Sequence, residues 1–577
     1  MTTNRRQHLG ASEFTQGSGY VLPEYPFVEP PEIASGEVSH HPIVIVGGGL
    51  AGLTLACSLA RYGVEAVLLD EDNTVGVKGA SSRGICYTQK SLEIFQRLGL
   101  YERIAAKGIQ WSVGRTFAGK DEVYSFDLRQ QSAYNLSSQP PFINIQQFYI
   151  EGYLVERIQE LGHVQLRWNN RVTAFEQNNE CATLTVTTPA GDYRMRADHV
   201  IDATGSHTPF RKWVGASVTA KKGDDRWCIA DVRFGKQAPH ATERHTWIEA
   251  PFNENRAVWQ HPMGDEVWRI DYQMAPDADP ETVSREDVVR ERLARHFGDC
   301  EGMELVWVGP YAYRSECVDH LRHGRVFFMG DAAKVVSPFG ARGGNTGIAD
   351  ADNLAWKLAA VMKGRAAPAL LDSYHEERHE AASQNVLVTN RTARFLRPAE
   401  GVEKVFRDAA LGLARQYVFA RQLVNTGRMA IANPYTRSSA CEATGGQPVQ
   451  NVSFEWPDGS KGTVNDLLQW ADGRLLLLLF GGDTNGGSLQ RLQALAESAP
   501  LRCVQVLGPD EAAAAVEYVR DPKAHLQGAC HVFGHAWALI RPDSYVAATG
   551  ETVDAGLVHA VGKALGATET GQEQEAA

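Results

Sequence analysis

The stretch Ile43-Val44-Ile45-Val46-Gly47-Gly48-Gly49-Leu50-Ala51-Gly52 runs a short apolar strand into a glycine-rich turn that opens a helix. Gly47, Gly49 and Gly52 fit G-x-G-x-x-G. The first glycine permits the tight turn, the second lets backbone approach a pyrophosphate, and the third lets the helix pack closely on the strand. The helix that follows, Leu53 to Tyr62, offers unpaired N–H groups and a positive dipole end to phosphates. Gly63 stops it. A second apolar strand, Ala66 to Leu69, then ends at Asp70, about twenty residues past the glycines, where a carboxylate can accept from a ribose hydroxyl. Strand, turn, helix, strand and acid in that order predict a dinucleotide site. The acid disfavours a 2′-phosphate, so FAD or NAD fits better than NADP.

A chain of 577 residues is too long for one core and calls for several domains. Its 43% apolar and 22% charged residues are those of a globular protein, and its formal charge of -12 argues against nucleic acid and anionic membranes as partners. The longest apolar run, Leu475 to Phe480, is a buried strand and far short of a membrane span. Residues 1–40 lack the apolar core of a signal peptide, so a cytoplasmic location is expected. The nine cysteines are dispersed, with no C-x-x-C and no metal-like spacing, which predicts reduced thiols and no metal site.

Pro23, Pro26, Pro30 and Pro31 argue against helix in residues 1–40, which read as an extended arm packing on the body or on a second subunit through Tyr20, Val21, Leu22, Tyr25, Phe27 and Val28. Helices are predicted at 91–98 and 146–161, the latter from the spacing of Ile150, Leu154, Val155 and Ile158. Strands follow from Val164 through Asp202 and again over 216–320, where Val258-Trp-Gln-His-Pro and Val267-Trp-Arg-Ile-Asp-Tyr-Gln-Met alternate. A buried strand at 325–329 leads into a glycine-rich loop and the long helical run Ile348 to Met362. Residues 431–460 read as a linker. Beyond them strands at 475–480 and 502–507, helices near 489–497 and 553–565, and a hairpin through Arg541-Pro542-Asp543 form a compact α/β unit.

Two further segments share the chemistry. One is Ala203-Thr204-Gly205, with Arg211 six residues on; the other is Gly330-Asp331-Ala332-Ala333-Lys334 followed by Ser337-Pro338-Phe339-Gly340-Ala341-Arg342-Gly343-Gly344-Asn345-Thr346-Gly347. An acid beside a glycine at a strand's end can bind a ribityl or ribose hydroxyl. A glycine-rich loop entering a helix N-terminus can lay N–H groups against a flavin's carbonyl edge, where negative charge develops.

With these three motifs in order, the chain resembles the single-component FAD-dependent aromatic hydroxylases, the group A flavoprotein monooxygenases, and most of all their phenol hydroxylase and 3-(3-hydroxyphenyl)propionate hydroxylase branch. The resemblance implies an α/β fold: a Rossmann-like FAD-binding domain with an inserted β-sheet substrate domain and a C-terminal thioredoxin-like domain. The boundaries are an arm at 1–40, FAD-binding parts at 41–215 and 321–395, a substrate domain at 216–320, a helical region and linker at 396–454, the thioredoxin-like domain at 455–566 and a disordered tail at 567–577. It implies FAD contacts from Gly47, Gly49, Gly52, Asp70, Arg83, Gln147, Asp331, Pro338, Gly343, Gly344, Asn345 and Thr346. It also implies NADH or NADPH as cosubstrate, hydroxylation of a phenolic compound by O2 through a C4a-hydroperoxyflavin, a role in aromatic catabolism, and a homodimer.

The sequence departs from the family pattern at Thr204, where an aspartate is usual, at Lys334, where a histidine is common, and at Ser337. His261, Arg269 and Tyr272 are the candidates for binding a phenol or carboxylate in the pocket wall. Arg342, in the flavin loop, is a further candidate, either to meet an anionic substrate or only to neutralise the flavin, and Tyr87 and Gln89 are candidates near the expected flavin edge. The halogenase signature W-x-W-x-I-P is absent. The rival readings are a flavoprotein monooxygenase or reductase acting on a non-phenolic or polyketide-type substrate, and a flavin-containing partner without turnover.

Overall fold

Strand Ser39–Val46 is buried from Ile43 onward because it lies between two parallel neighbours, Gly191–Asp202 and Ala66–Leu69. Its apolar run is continuous, as a strand covered on both faces requires. The chain is a computed structural model that describes residues 20–76, 82–132, 134–234, 239, 241–298, 302–481, 486–509, 511, 517–532 and 534–567. The first sheet continues outward to Val164–Arg167 on one side and to Val326–Phe328 on the other, with Ala182–Thr188 and Arg171–Gln177 as an antiparallel extension. Helices Leu50–Arg61, Gln147–Leu161 and Gly343–Met362 cover it.

A second, eight-stranded sheet runs in the order 334–335, 304–318, 218–233, 267–273, 256–262, 244–250, 113–118, 121–127. Most of it falls within the expected 216–320. Its outer strands Val113–Ala118 and Asp121–Asp127 come from the segment read as nucleotide-binding, and Lys334–Val335 adds the opposite edge. Sequence alternation finds strands but not the parallel pairing of 113–118 with 244–250, which joins residues far apart in the chain.

The C-terminal unit has a seven-stranded sheet whose centre, 475–480 beside 501–507, is parallel, with the antiparallel hairpin 537–540 and 546–550 at one edge. The stretch read as a linker carries strand Ser453–Glu455 and packs between the units: the buried Asn451 side chain donates to Gln96 and Gln139. Of the expected arm, residues 1–19 lie outside the described residues, as do 568–577 of the tail. The arm does contain one helix, Pro31–Ser35, because proline is tolerated in a first turn. Tyr20, Leu22 and Tyr25 pack on the body, Tyr25 stacking on Trp168 with ring centroids 4.5 Å apart, whereas Val21 and Val28, also expected to pack, are exposed because they point away from it. Eight described cysteines are free. Among the described residues no helix is long and apolar enough to cross a membrane.

Candidate active site

The glycine turn is built around backbone contacts that no side chain could share. Gly47 has φ +112°, and a Cβ there would lie 2.4 Å from the carbonyl oxygen of Ala203. A Cβ on Gly52 would lie 2.0 Å from the carbonyl oxygen of Gly47, so helix and turn touch backbone to backbone. Gly49 faces open space. Asp70 is buried and braces the turn: it accepts from Gly48 N at 2.5 Å and from Asp72 N at 2.8 Å. A carboxylate has about four lone-pair sites, so capacity for a ribose hydroxyl remains.

A second helix N-terminus lies beside the first. A Cβ on Gly330 would come within 2.9 Å of Ala51 Cβ, and one on Gly347 within 3.3 Å of the same atom. In helix Gly343–Met362 the Thr346 N–H donates to Arg342 O, and the preceding N–H groups have no acceptor within the helix. Asp331 sits at this junction. It is open to solvent and yet densely surrounded, as a residue lining a deep cleft is. Burial pushes its carboxyl up, while Arg83, Lys334, Arg314 and Arg211 pull it down. Arg211 holds the loop through the carbonyl oxygens of Ala332 and Asp331, at 2.9 and 3.2 Å. Arg83 is exposed at φ +50°, a left-handed backbone. Gln147 accepts from Gly84 N at 3.1 Å and donates to Glu151 at 2.8 Å.

The second sheet turns a polar row toward these loops. Asp231 pairs with Arg269 in register, and Arg269 with His261, so the three share a face. Arg269 donates to Asp271 at 2.8 Å and to the carbonyl oxygen of Arg83. Ser82 and Tyr20 both donate to Asp231, whose carboxyl burial pushes up to about 6. His261 Nδ1 lies 3.9 Å from Cys86 Sγ. Burial, followed by Arg244 and Arg269, holds the His261 imidazole well below its ordinary range. Tyr311, 41% exposed, completes the wall near Asp331 and Arg83.

A family model described as an FAD binding domain matches residues 40–389, more than half of the chain. The chain belongs to that family. This flavoprotein is similar to the 3-(3-hydroxy-phenyl)propionate/3-hydroxycinnamic acid hydroxylase of Burkholderia cenocepacia, 26% identical over 438 residues that cover 74% of this chain and 77% of that one. It is similar also to a flavin-dependent monooxygenase of Mycobacteroides abscessus, 31% identical over 371 residues, 62% of this chain and 76% of that one. In fold it matches the flavin-dependent monooxygenase PieE, solved with FAD and substrate, at a TM-score of 0.75 and 22% identity over 91% of this chain and 98% of that chain. Aklavinone-11 hydroxylase, solved with FAD and aklavinone, gives 0.72 and 21% over 92% and 99%. FAD is thus the cofactor, and the flavoprotein is an enzyme of the flavin-dependent monooxygenase class. The glycine cradle, the two helix N-termini and Asp331 fit FAD.

Not every residue singled out in the sequence reaches the cleft. Tyr272 lies on the far face of the second sheet, since it is out of phase with Arg269 and Asp271. Its hydroxyl is 3.1 Å from His296 Nδ1, under helix Glu286–Phe297. The Asn345 side chain is a strut: it accepts from Thr88 N and Ser91 Oγ and donates to the carbonyl oxygens of Cys86 and Ala341. Thr346 donates to Arg342 O through both its Oγ1, at 2.6 Å, and its backbone N–H, so of the two residues only Asn345 has a backbone N–H to offer a ligand. Arg342 is buried and points away, to Asn385 Oδ1 and the carbonyl oxygen of Arg428. Tyr87 and Gln89 are buried and bond to backbone carbonyls. Pro338 and Gly344 are exposed.

Two departures from the family pattern have local explanations. The Thr204 hydroxyl donates at 2.6 Å to Asp202, an acid at the strand end that no sequence motif singles out. Lys334 forms a buried ion pair with Asp350, which also accepts from Gly330 N and Arg378 Nε.

Proposed function

We propose that this flavoprotein hydroxylates a phenolic aromatic compound with NADH or NADPH and O2. The observation that carries the reading is the meeting of two helix N-termini at Asp331 opposite the Asp231–Arg269–His261 row. FAD held in this cleft would supply the redox chemistry that activates oxygen. The Gly47–Gly52 turn and the N-terminus of helix Leu50–Arg61 hold its pyrophosphate, with Asp70 at the ribose. Asp331, Arg83 and Gln147 would position the rest, and the N–H groups at Gly343 and Gly344 would stabilise negative charge on the ring.

His261, neutral at physiological pH, accepts the phenol proton, and Arg269 stabilises the resulting phenolate, the better nucleophile. Tyr20 and Ser82, both bonded to Asp231, help exclude water. The second sheet is the substrate domain. The C-terminal unit is thioredoxin-like in its mixed sheet and, lacking C-x-x-C, serves structure rather than thiol chemistry. Assembly as a homodimer belongs to the same reading and is tested by sedimentation. A polyketide-type substrate is the second reading, favoured by the fold shared with aklavinone-11 hydroxylase.

The test is NADH and NADPH oxidation by the purified holoenzyme against a panel of phenols, with peroxide and hydroxylated product both quantified. Stimulation with little peroxide is expected from a phenol that is turned over. No stimulation and no product from any aromatic compound overturns the proposal.

A further inference from the structure

Arg244 begins strand Arg244–Ala250 beside the His245–Gln260 pair, which places it next to His261 on the cleft-facing side of the sheet. It is only 5% exposed. A guanidinium carries five donors and stays charged. Among the described residues its one hydrogen-bond acceptor is the thioether of Met429, at 3.2 Å, which is a weak acceptor. Its Nε has no partner, and the Trp259 ring lies 5.9 Å away. Among the described residues no carboxylate is within ion-pair distance of it.

Its cationic neighbours differ. Arg269 is paired with Asp271 and the carbonyl oxygen of Arg83, and Arg342, though its Nε also lacks a partner, donates through both Nη atoms to oxygen acceptors, Asn385 Oδ1 and the carbonyl oxygen of Arg428. Other buried donors on the same side also lack acceptors among the described residues, Trp259 Nε1 and Tyr313 OH among them. Both rings pack edge-on against Phe339 of the flavin loop, at 5.2 and 5.8 Å between centroids. A buried charge without a counter-ion is costly, and a donor-rich, acceptor-poor wall is matched by an anion.

We propose that Arg244 anchors an oxyanion of the substrate, so that the enzyme selects an acidic aromatic compound, one bearing a carboxylate or an ionised acidic hydroxyl. The inference rests on the reading of this cleft as the substrate site. Arg244 then sets specificity rather than chemistry: it fixes the ring by its charged end, while His261 and Arg269 lie farther along the row toward Asp231. A planar fork suits a carboxylate bidentately.

The experiment is a titration of the FAD-loaded enzyme, read by perturbation of the flavin absorbance, which needs no turnover. The probes are 3-(3-hydroxyphenyl)propionate against its primary amide, and 4-nitrophenol, ionised at pH 8, against phenol. The acid should bind about 10- to 100-fold more tightly than its amide if the anchored group is a carboxylate; the same preference confined to 4-nitrophenolate assigns an ionised hydroxyl. Arg244→Met should abolish the preference by weakening the anion alone, and Arg244→Lys should keep part of it. Should the methionine variant not fold, the lysine variant and the wild-type pairs decide. Equal binding of charged and neutral members, or no binding of either anion, overturns the proposal. Acid-selective binding without hydroxylated product overturns the proposed function and leaves the anchor standing.

Discussion

Asp331 follows the buried strand Val326–Phe328 and opens onto the cleft where two helix N-termini meet, so its loss removes a solvent-facing carboxylate there, Asp350 being buried against Gly330 N and Lys334. Asp331→Ala is expected to weaken FAD retention at least about tenfold, the worth of a hydrogen bond to a charged group; the ratio of flavin to protein absorbance after desalting measures it, and a fully yellow, active variant refutes the assignment. Asp202 gives a pH signature. Burial pushes its carboxyl up to about 6 from 3.8 in spite of donors at Thr204 and Thr208. A folded-state value above the unfolded one means that its stabilising contribution is complete below about pH 4 and is lost as pH rises through about 6, costing about 3 kcal/mol. Asp202→Asn should therefore gain stability relative to wild type between pH 4 and 7, seen as a widening difference in Tm. Asp331 is legible in the sequence because an acid after an apolar strand and a glycine has few other uses. The bond from Thr204 to Asp202 is not, since it depends on how the turn at Gly205 folds back.

Strand Val267–Gln273 shows where local reasoning stops. Alternation correctly makes it a strand, and it puts Arg269 and Tyr272 on opposite faces, but nothing in the residues says which face meets the cofactor. That choice is made by Asp231 and His261 on the neighbouring strands and by the aliphatic cover of helix Glu286–Phe297 under Tyr272. Tyr272→Phe should thus cost about 1 kcal/mol in stability, from the lost bond to His296, and leave flavin content, substrate affinity and kcat unchanged; a tenfold fall in kcat/KM would return Tyr272 to the site. Gly52 is the opposite case. Its need was legible from spacing alone, and the 2.0 Å approach of a Cβ to Gly47 O explains it, because two backbones cannot yield as a flexible side chain can. The strands Val113–Ala118 and Asp121–Asp127 were not legible as part of the substrate sheet, for their partners are chosen by long-range pairing.

The C-terminal unit is fastened to the FAD-binding part by charge buried away from water. Glu377, on helix Asp372–Leu396, pairs with Lys357 at 2.8 Å and with Arg541 at 2.5 Å, and Arg541 pairs with Asp543 at 2.5 Å. All four are essentially inaccessible. Two positive and two negative groups balance, so the cluster is satisfied only when the Arg541-Pro542-Asp543 hairpin is docked. Neither segment carries this meaning in isolation. Lys357 lies in a helix whose signature concerns the cofactor, and the hairpin looks like an ordinary turn. Removing one partner of such a cluster leaves an uncompensated buried charge, which costs about 3–5 kcal/mol. Arg541→Met strands Asp543 and half-strands Glu377, so the hairpin should undock rather than repack. The expected result is a Tm several degrees lower, and proteolysis within 431–460 that releases the C-terminal unit while the flavin stays bound, because among the described residues the cofactor cleft draws none from it. Adding Asp543→Asn to Arg541→Met should recover part of the loss, since the amide leaves no unpaired charge. If the single variant keeps wild-type Tm and resists the protease, the units are held by their apolar contacts alone and the ionic cluster is incidental.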